Sequence, residues 1–391
     1  MPVFSVVIFT KNRSDLVGFA LESVLNQSFP DYEVIIADND DTDATAKVVR
    51  SYQDSRIRYH RTGNLSMVDN WEASVSLACG QYVLSLTDRS VFKSYALERI
   101  KKAIDQFGED VYVWSYDILF GTLDEILFSK ASGKAETVLS PTLFDLFLTE
   151  EYCVYSECLP RGLNSCCSRS VLEDIKRTSG RCFLPVAPDY TLAFLTLAHR
   201  PRIVQMNESL FVWGYGHLSN GGGLYTNSPY SEQTFREMDL SELDLVKHVP
   251  IKTKGIHNLL CNDLMRLKQI YPDHFAGIDL RPIPYFVTCR KEIDQWLSPD
   301  HPSYREKVSA WEEALAKQPD DIQTEVRAAL TEPSVDLRRK LWRVFYNSSM
   351  ATNARRQLAK RRSHFPKFED ILQATHWIEE AKGEKRVNRE P

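Results

Sequence analysis

Neither of the two glycine-rich phosphate cradles occurs in the first hundred residues of this 391-residue chain. There is no GxGxxG and no GxxxxGK(S/T), and Gly18 is the only glycine before Gly63. A nucleotide diphosphate bound there must be held by cationic side chains or a metal, and Lys11, Arg13 and Arg89 are the cations at hand. Cysteines at metal-binding spacing are missing as well. With no CxxC and no histidine at zinc-finger distance, Cys79, Cys153, Cys158, Cys166, Cys167, Cys182, Cys261 and Cys289 are expected to be free, mostly buried thiols in a reducing cytosol. No apolar run approaches the ~18 residues of a spanning helix, so no membrane crossing is expected. No basic segment leads into an apolar stretch at the start, so neither is a secretory leader. Positive charge is not in excess: the formal net charge of -5 argues against wholesale nucleic-acid binding.

What is present begins with a core-forming pattern, since 43% of residues are hydrophobic and the length suits two or three domains. Phe4 to Phe9 is a continuous apolar run. Thr10, Lys11, Asn12 and Arg13 make a polar turn, and Leu16, Phe19, Ala20 and Val24 fall at helical spacing before Pro30. A second apolar run, Val34 to Ala37, ends in Asp38, Asp40, Asp41 and Asp43. Strand, helix and strand in about 35 residues, both strands apolar throughout, describe a parallel pair buried on both faces. Ligands of such sheets collect at the carboxyl ends of the strands, where Thr10 to Arg13 and Asp38 to Asp43 lie. A carboxylate such as Asp38 can accept hydrogen bonds from a base N–H or from ribose hydroxyls. The alternative is that this acidic cluster only caps the helix expected over Ala44 to Ser51, which suits Asp41, Thr42 and Asp43 better than Asp38. Arg56 to Arg61 predicts a third strand, Ser66 to Asp69 a capping box, and Val83 to Leu86 a further strand.

The chain resembles the family 2 glycosyltransferases of the GT-A fold. The resemblance rests on Asn12-Arg13, on Ser23-Val24-Leu25-Asn26-Gln27 and on the Asp38 to Asp43 cluster. It continues through Asn64, Asn70, the turn Ala78-Cys79-Gly80-Gln81-Tyr82 and the strand that follows. It implies an α/β fold, GT-A, Rossmann-like with a mostly parallel central sheet flanked by helices, here followed by an α-helical C-terminal region. The implied organisation is a nucleotide-sugar-binding half over residues 1–107, an acceptor-binding half over 108–236 and helices over 237–391. Thr10, Lys11, Asn12, Arg13, Asp38, Asn70, Asp88 and Arg89 then face the donor. Members of the family carry an acidic triplet that holds a divalent cation, and Asp88-Arg89-Ser90 stands in its place with only the first acid retained. Two readings follow: Asp88 holds Mn2+ or Mg2+ with help from the diphosphate and His217, or Arg89 and Lys11 replace the metal as the clamp. A third is that Asp88 pairs with Arg89 or caps the next helix and that activity has been lost.

Further along, the resemblance implies that Asp189, in Ala187-Pro188-Asp189-Tyr190, is the general base. Its position in the first turn of a helix opened by Pro188 suits an anion, although such an acid is more commonly only a helix N-terminal residue. Arg161, Asn164, Ser165 and Arg169 are expected on the acceptor side. The interval around Ser132-Gly133-Lys134 reads as a mobile loop, and Gly214 to Gly223 as a lid carrying His217 and Ser219. Past Met238 the pattern is helical. Residues 337–362 hold nine Lys or Arg and no acid, which fits either a helix lying peripherally on an anionic membrane or one packed on its own domain. The implied activity is inverting transfer of a sugar from a UDP-sugar to a hydroxyl of a glycan or lipid-linked acceptor in surface polysaccharide or glycoconjugate synthesis. The setting is cytoplasmic, at most peripheral to a membrane. The rivals are a non-catalytic nucleotide-sugar or glycan-binding module and a sugar nucleotidyltransferase.

Overall fold

The structure is a computed structural model and describes residues 1–120, 123, 125–129, 131–150, 152–215, 229–331 and 367–387. Two compact units divide the chain: residues 1–143, 156–217 and 366–391 form one, and residues 144–155 and 218–365 the other. The first unit contains β1 (Phe4–Thr10), α1 (Ser14–Leu25), β2 (Tyr32–Asp38), α2 (Ala44–Arg50), β3 (Ile57–Arg61), α3 (Met67–Val75) and β4 (Tyr82–Thr87). It continues with β5 (Ser90–Phe92), α4 (Ala96–Phe107), β6 (Val111–Phe120), β7 (Ile126–Leu127) and β8 (Ala135–Leu139). The chain passes to the second unit within α5 (Ser140–Thr149), forms α6 (Tyr152–Tyr155) there, and returns for β9 (Ser165–Ser168), α7 (Arg169–Ser179), α8 (Pro188–His199) and β10 (Arg202–Tyr215).

All ten of these strands join one sheet in the order β3-β2-β1-β4-β9-β6-β10-β5, with β7 on β6 and β8 on β10. Pairing from β3 to β4 is parallel, as is β6 with β10, whereas β9 runs antiparallel to both of its neighbours, so the sheet is mixed. Every residue of β1 and of β2 is buried, which is why neither strand alternates. The chain runs outward from β1 to β3 and then crosses back to place β4 on the other side of β1, so a switch point opens between β1 and β4. Register sharpens it. Thr10 pairs with Asp38 and Phe9 with Thr87, so the turns after β1, β2 and β4 emerge side by side.

Several short signatures work as internal fastenings. Gln27 donates from Nε2 to the carbonyls of Ser23 and Lys93 and accepts from the Leu97 N–H, at 2.8–2.9 Å, while Ser23 Oγ accepts from Phe92 N. The end of α1 is thereby sewn to β5 and α4. At the turn before β4, Gly80 N and Glu33 both bond to the Ser5 hydroxyl, and Glu33 also accepts from Cys79 N and from Arg58. A Cβ on Gly80 would stand 2.6 Å from Ser5 N, so only glycine fits.

The interval expected to be a mobile loop is tied down. Gly133 N donates to Asn207 O and Lys134 O accepts from Asn207 N, at the hairpin-like approach of β8 to β10.

The last helix of the first unit comes from the far end of the chain. Ile371–Val387 lays Ile371, Ala374 and Ile378 on Val91, Leu119, Ile126 and Val212, and Glu379 accepts from the Ser94 N–H at 2.6 Å.

The second unit is helical, as the pattern past Met238 leads one to expect: Pro229–Glu237, Ile256–Ile270, Pro282–Trp296, Pro302–Leu315 and Asp320–Thr331 follow one another. Its core gathers Phe147, Tyr155, Tyr285, Phe286 and Trp311 around buried His257. His257 Nδ1 meets Tyr155 Oη at 2.9 Å, and burial lowers its pKa to about 3. Every cysteine whose side chain is described is free. Among the described residues no helix is long and apolar enough to cross a membrane. The expected lid beyond Tyr215, with His217 and Ser219, and the basic segment 337–362 lie outside the described residues.

Candidate active site

The switch point is built from backbone as much as from side chains. Asn12 adopts a left-handed conformation, φ 55°, which turns its N–H onto the Asp40 carboxylate. Its side-chain amide donates to Asp41 at 2.7 Å and accepts from Asp41 N at 3.0 Å, so the turns after β1 and β2 are laced together. Asp38 is fully buried. Its two carboxylate oxygens accept from Asp40 N at 2.8 Å and from the Tyr59 hydroxyl at 2.5 Å. The same burial and the Asp38 bond push the Tyr59 phenol well above its ordinary pKa. Asn39 clasps Leu65 through two backbone bonds, and Asn70, also buried, accepts from the Thr62 hydroxyl at 2.6 Å. Lys11 is half-buried and Asn12 is exposed. In place of the Asp43 cap, Thr42 Oγ1 accepts from Ala44 N at 3.3 Å.

Asp88 follows β4 and is 2% exposed. Arg13 reaches it at 3.1 Å. Burial pushes its carboxyl above the usual range while the guanidinium groups of Arg13 and Arg89 pull the other way. Ser90 sits in β5 with its hydroxyl 2.7 Å from that of Thr87. A divalent cation needs several oxygen donors, and Asp88 is a single carboxylate between two guanidinium groups. Among the described residues no group of three His, Cys, Asp or Glu could hold a metal ion. As a donor set, Asp88, Arg13 and Arg89 therefore suit an anion better than a cation.

The position of Asp189 is set from two sides. On one, an aromatic stack joins β1 to the loop that precedes α8: Phe9 lies parallel to Trp71 at 4.6 Å, and Phe183 meets Trp71 edge-on at 5.5 Å. Glu72, next to Trp71 in α3, accepts from Cys182 N and Phe183 N and pairs with Lys176. On the other side stands Arg161, buried, with its guanidinium 5.3 Å from the Tyr190 ring centre and 5.7 Å from that of Tyr116. It donates to the Tyr116 hydroxyl at 3.2 Å and approaches Asp189 Oδ2 at 3.7 Å. Asp189 keeps 19% of its side-chain surface exposed. Burial raises its pKa above the ordinary carboxylate value, and Arg161 opposes the rise.

Tyr116 also meets Trp213 edge-on at 5.8 Å, and Arg89 lies 5.4 Å over the Trp213 ring. A continuous run of contacts thus links Asp88 to Asp189 across β6 and β10. Sequence reasoning named both ends of this run and Arg161 but missed Tyr59, Tyr116, Trp213 and Glu72. Tyr59 lies within the strand expected over Arg56 to Arg61, but nothing local marked its side chain for the site. Asn164 bonds the Trp114 and Glu157 carbonyls and Ser165 the Gly162 N–H, both inside the fold, while Arg169 lies against Glu173 on the surface of α7.

Residues 5–151 match the family model described as glycosyl transferase family 2. Over 110 residues the chain is 34% identical to the GalNAc(5)-diNAcBac-PP-undecaprenol beta-1,3-glucosyltransferase of Campylobacter jejuni, which covers 27% of this chain and 36% of that protein. A PGL/p-HBAD biosynthesis glycosyltransferase of Mycobacterium bovis is 26% identical over 142 residues, or 33% of this chain and 56% of that protein. The chain therefore spans between about a third and just over half of the length of these relatives. The structure of S. aureus TarS 1-349 in complex with UDP-GlcNAc aligns with a TM-score of 0.46 at 15% identity, over 90% of this chain and 91% of that one. Residues 5–151, which run from β1 past α5 and carry the switch point, are thus the part of this α/β unit that is similar to glycosyl transferase family 2.

Proposed function

We propose that this protein is an inverting glycosyltransferase that moves a sugar from a UDP-sugar to a hydroxyl of a glycan or lipid-linked acceptor in glycoconjugate synthesis. The observation that carries the reading is the run of contacts that joins a cation-rich turn set at the switch point to a largely buried carboxylate whose pKa is raised. In the reaction the acceptor oxygen forms a bond to the anomeric carbon as the bond from that carbon to the diphosphate oxygen breaks. The electron pair leaves with the diphosphate and the acceptor proton passes to Asp189. Lys11, Arg13 and Arg89 offset the charge on the leaving group. Asp38 and Asn70 shape the floor of the nucleotide site by holding the turns that line it, and Asn12 presents the exposed edge.

The lipid-linked acceptor is motivated by the name of the Campylobacter relative, which specifies an undecaprenol-linked glycan. It favours work at the cytoplasmic face of a membrane, with 337–362 as the peripheral contact. The test is calorimetry of UDP-, GDP-, dTDP- and CMP-sugars, each with Mn2+, Mg2+ or EDTA. Binding of one UDP-sugar that survives EDTA supports the cationic clamp. Binding that requires a cation assigns Asp88, with His217 as the other candidate ligand, to the metal. The second reading, a non-catalytic module, is favoured by the engagement of Asp88 with Arg13, and predicts binding without turnover.

A further inference from the structure

We propose that Arg161 is a positioning residue for the reaction: clasped between Tyr116 and Tyr190, it orients the Asp189 carboxylate and keeps it charged for proton abstraction. The inference rests on the reading of Asp189 as the base. A carboxylate that is four-fifths buried would by itself favour its neutral form, in which it cannot accept a proton from an attacking hydroxyl. Arg161 is the compensating charge, 3.7 Å from Oδ2. Its own position is over-determined. The guanidinium lies within 5.7 Å of both ring centres, and the Tyr116 hydroxyl accepts one of its N–H bonds.

The charged and titratable groups around the pair come from every element packed on it. Tyr190 lies on α8 itself, Tyr116 on β6, and Glu157, felt by Tyr116, on the segment leading to Arg161. Glu157 has the same sign as Asp189, so Arg161 is the cation of this neighbourhood that can hold Asp189 ionised. A lysine would restore the charge but neither the ring stacking nor the fork-shaped contact, which separates the two parts of the role.

The test is an NMR titration of 13C-labelled aspartate in the full chain, with the Asp189 signal assigned by its loss in Asp189→Asn, alongside the pH profile of kcat/KM. In Arg161→Met the Asp189 titration and the acid limb should both move to higher pH by about one unit or more. Arg161→Lys should return the titration to its wild-type place while kcat stays at least about tenfold low and the donor KM is unchanged. Should Arg161→Met fail to fold, Tyr116→Phe keeps the ring and removes the hydroxyl, and a smaller shift in the same direction is expected. An Asp189 titration that stays in place in folded Arg161→Met, with wild-type turnover intact, overturns the role of Arg161 and leaves the base assignment standing. Turnover that is unchanged in Asp189→Asn overturns the base assignment first, and the inference with it.

Discussion

A carboxylate whose pKa burial has raised is a liability to the fold, and Asp189, the base of the proposed reaction, carries that cost. Because its folded value lies above its unfolded one, the stability it contributes is present at low pH and is lost as pH rises through the folded value. At neutral pH the ionised group therefore opposes folding. Asp189→Asn is expected to melt at a higher temperature than wild type at pH 7, with the difference vanishing near pH 4, a range scanning calorimetry covers. The same variant should lose about 10²- to 10⁴-fold in turnover while donor affinity stays within about twofold. His257 carries the opposite sign. Its pKa is lowered to about 3 by burial, so the stability it lends is complete above the ordinary histidine value of 6.5 and is lost as pH falls toward 3. Melting temperature should fall more steeply below pH 6.5 in wild type than in His257→Asn.

At the scale of elements, the family signatures divide into those that hold the fold and those that face the ligand. Gln27 and Gly80 belong to the first kind. Replacing Gln27 with Leu removes the side-chain partner of the Leu97 N–H and one bond from each of the Ser23 and Lys93 carbonyls, of which Lys93 O keeps the Ala96 N–H, at a cost of about 1–3 kcal/mol for each group left unsatisfied. Urea denaturation should record the loss, with donor affinity of the folded fraction unchanged. Gly80→Ala drives a methyl group into the β1 backbone and should cost about 3 kcal/mol or more.

The strand-helix-strand opening was legible because both strands are buried on two faces and so are written as unbroken apolar runs. The short antiparallel strands β5, β7, β8 and β9 were not, because two to five residues carry no period of their own and take their conformation from partners far along the chain. Asp38 shows the corresponding limit for a site. Its place at a strand end could be read from the sequence, but the Tyr59 hydroxyl that occupies it comes from a neighbouring strand and left no local sign.

For the whole molecule, the unexpected feature is that the first unit is closed by residues from the far end of the chain. Helix Ile371–Val387 covers Val91 and Val212, in the two strands that flank the Arg89 turn, and Gly214 in β10 bonds the Arg89 carbonyl at 2.9 Å with Ile371 against it. Ending the chain at residue 365 would expose this apolar face. The truncated protein should melt several degrees lower and lose donor affinity, whereas removal of a merely appended helix would do neither. Calorimetric melting and the donor titration on the truncated chain read both. The arrangement also sets a clock on synthesis. A ribosome delivers the sheet early, but its covering helix emerges only after some 150 residues of the helical unit have been made, so the apolar face on Val91 and Val212 waits uncovered until then. A message cut short upstream of helix Ile371–Val387 thus yields a first unit whose apolar face stays bare.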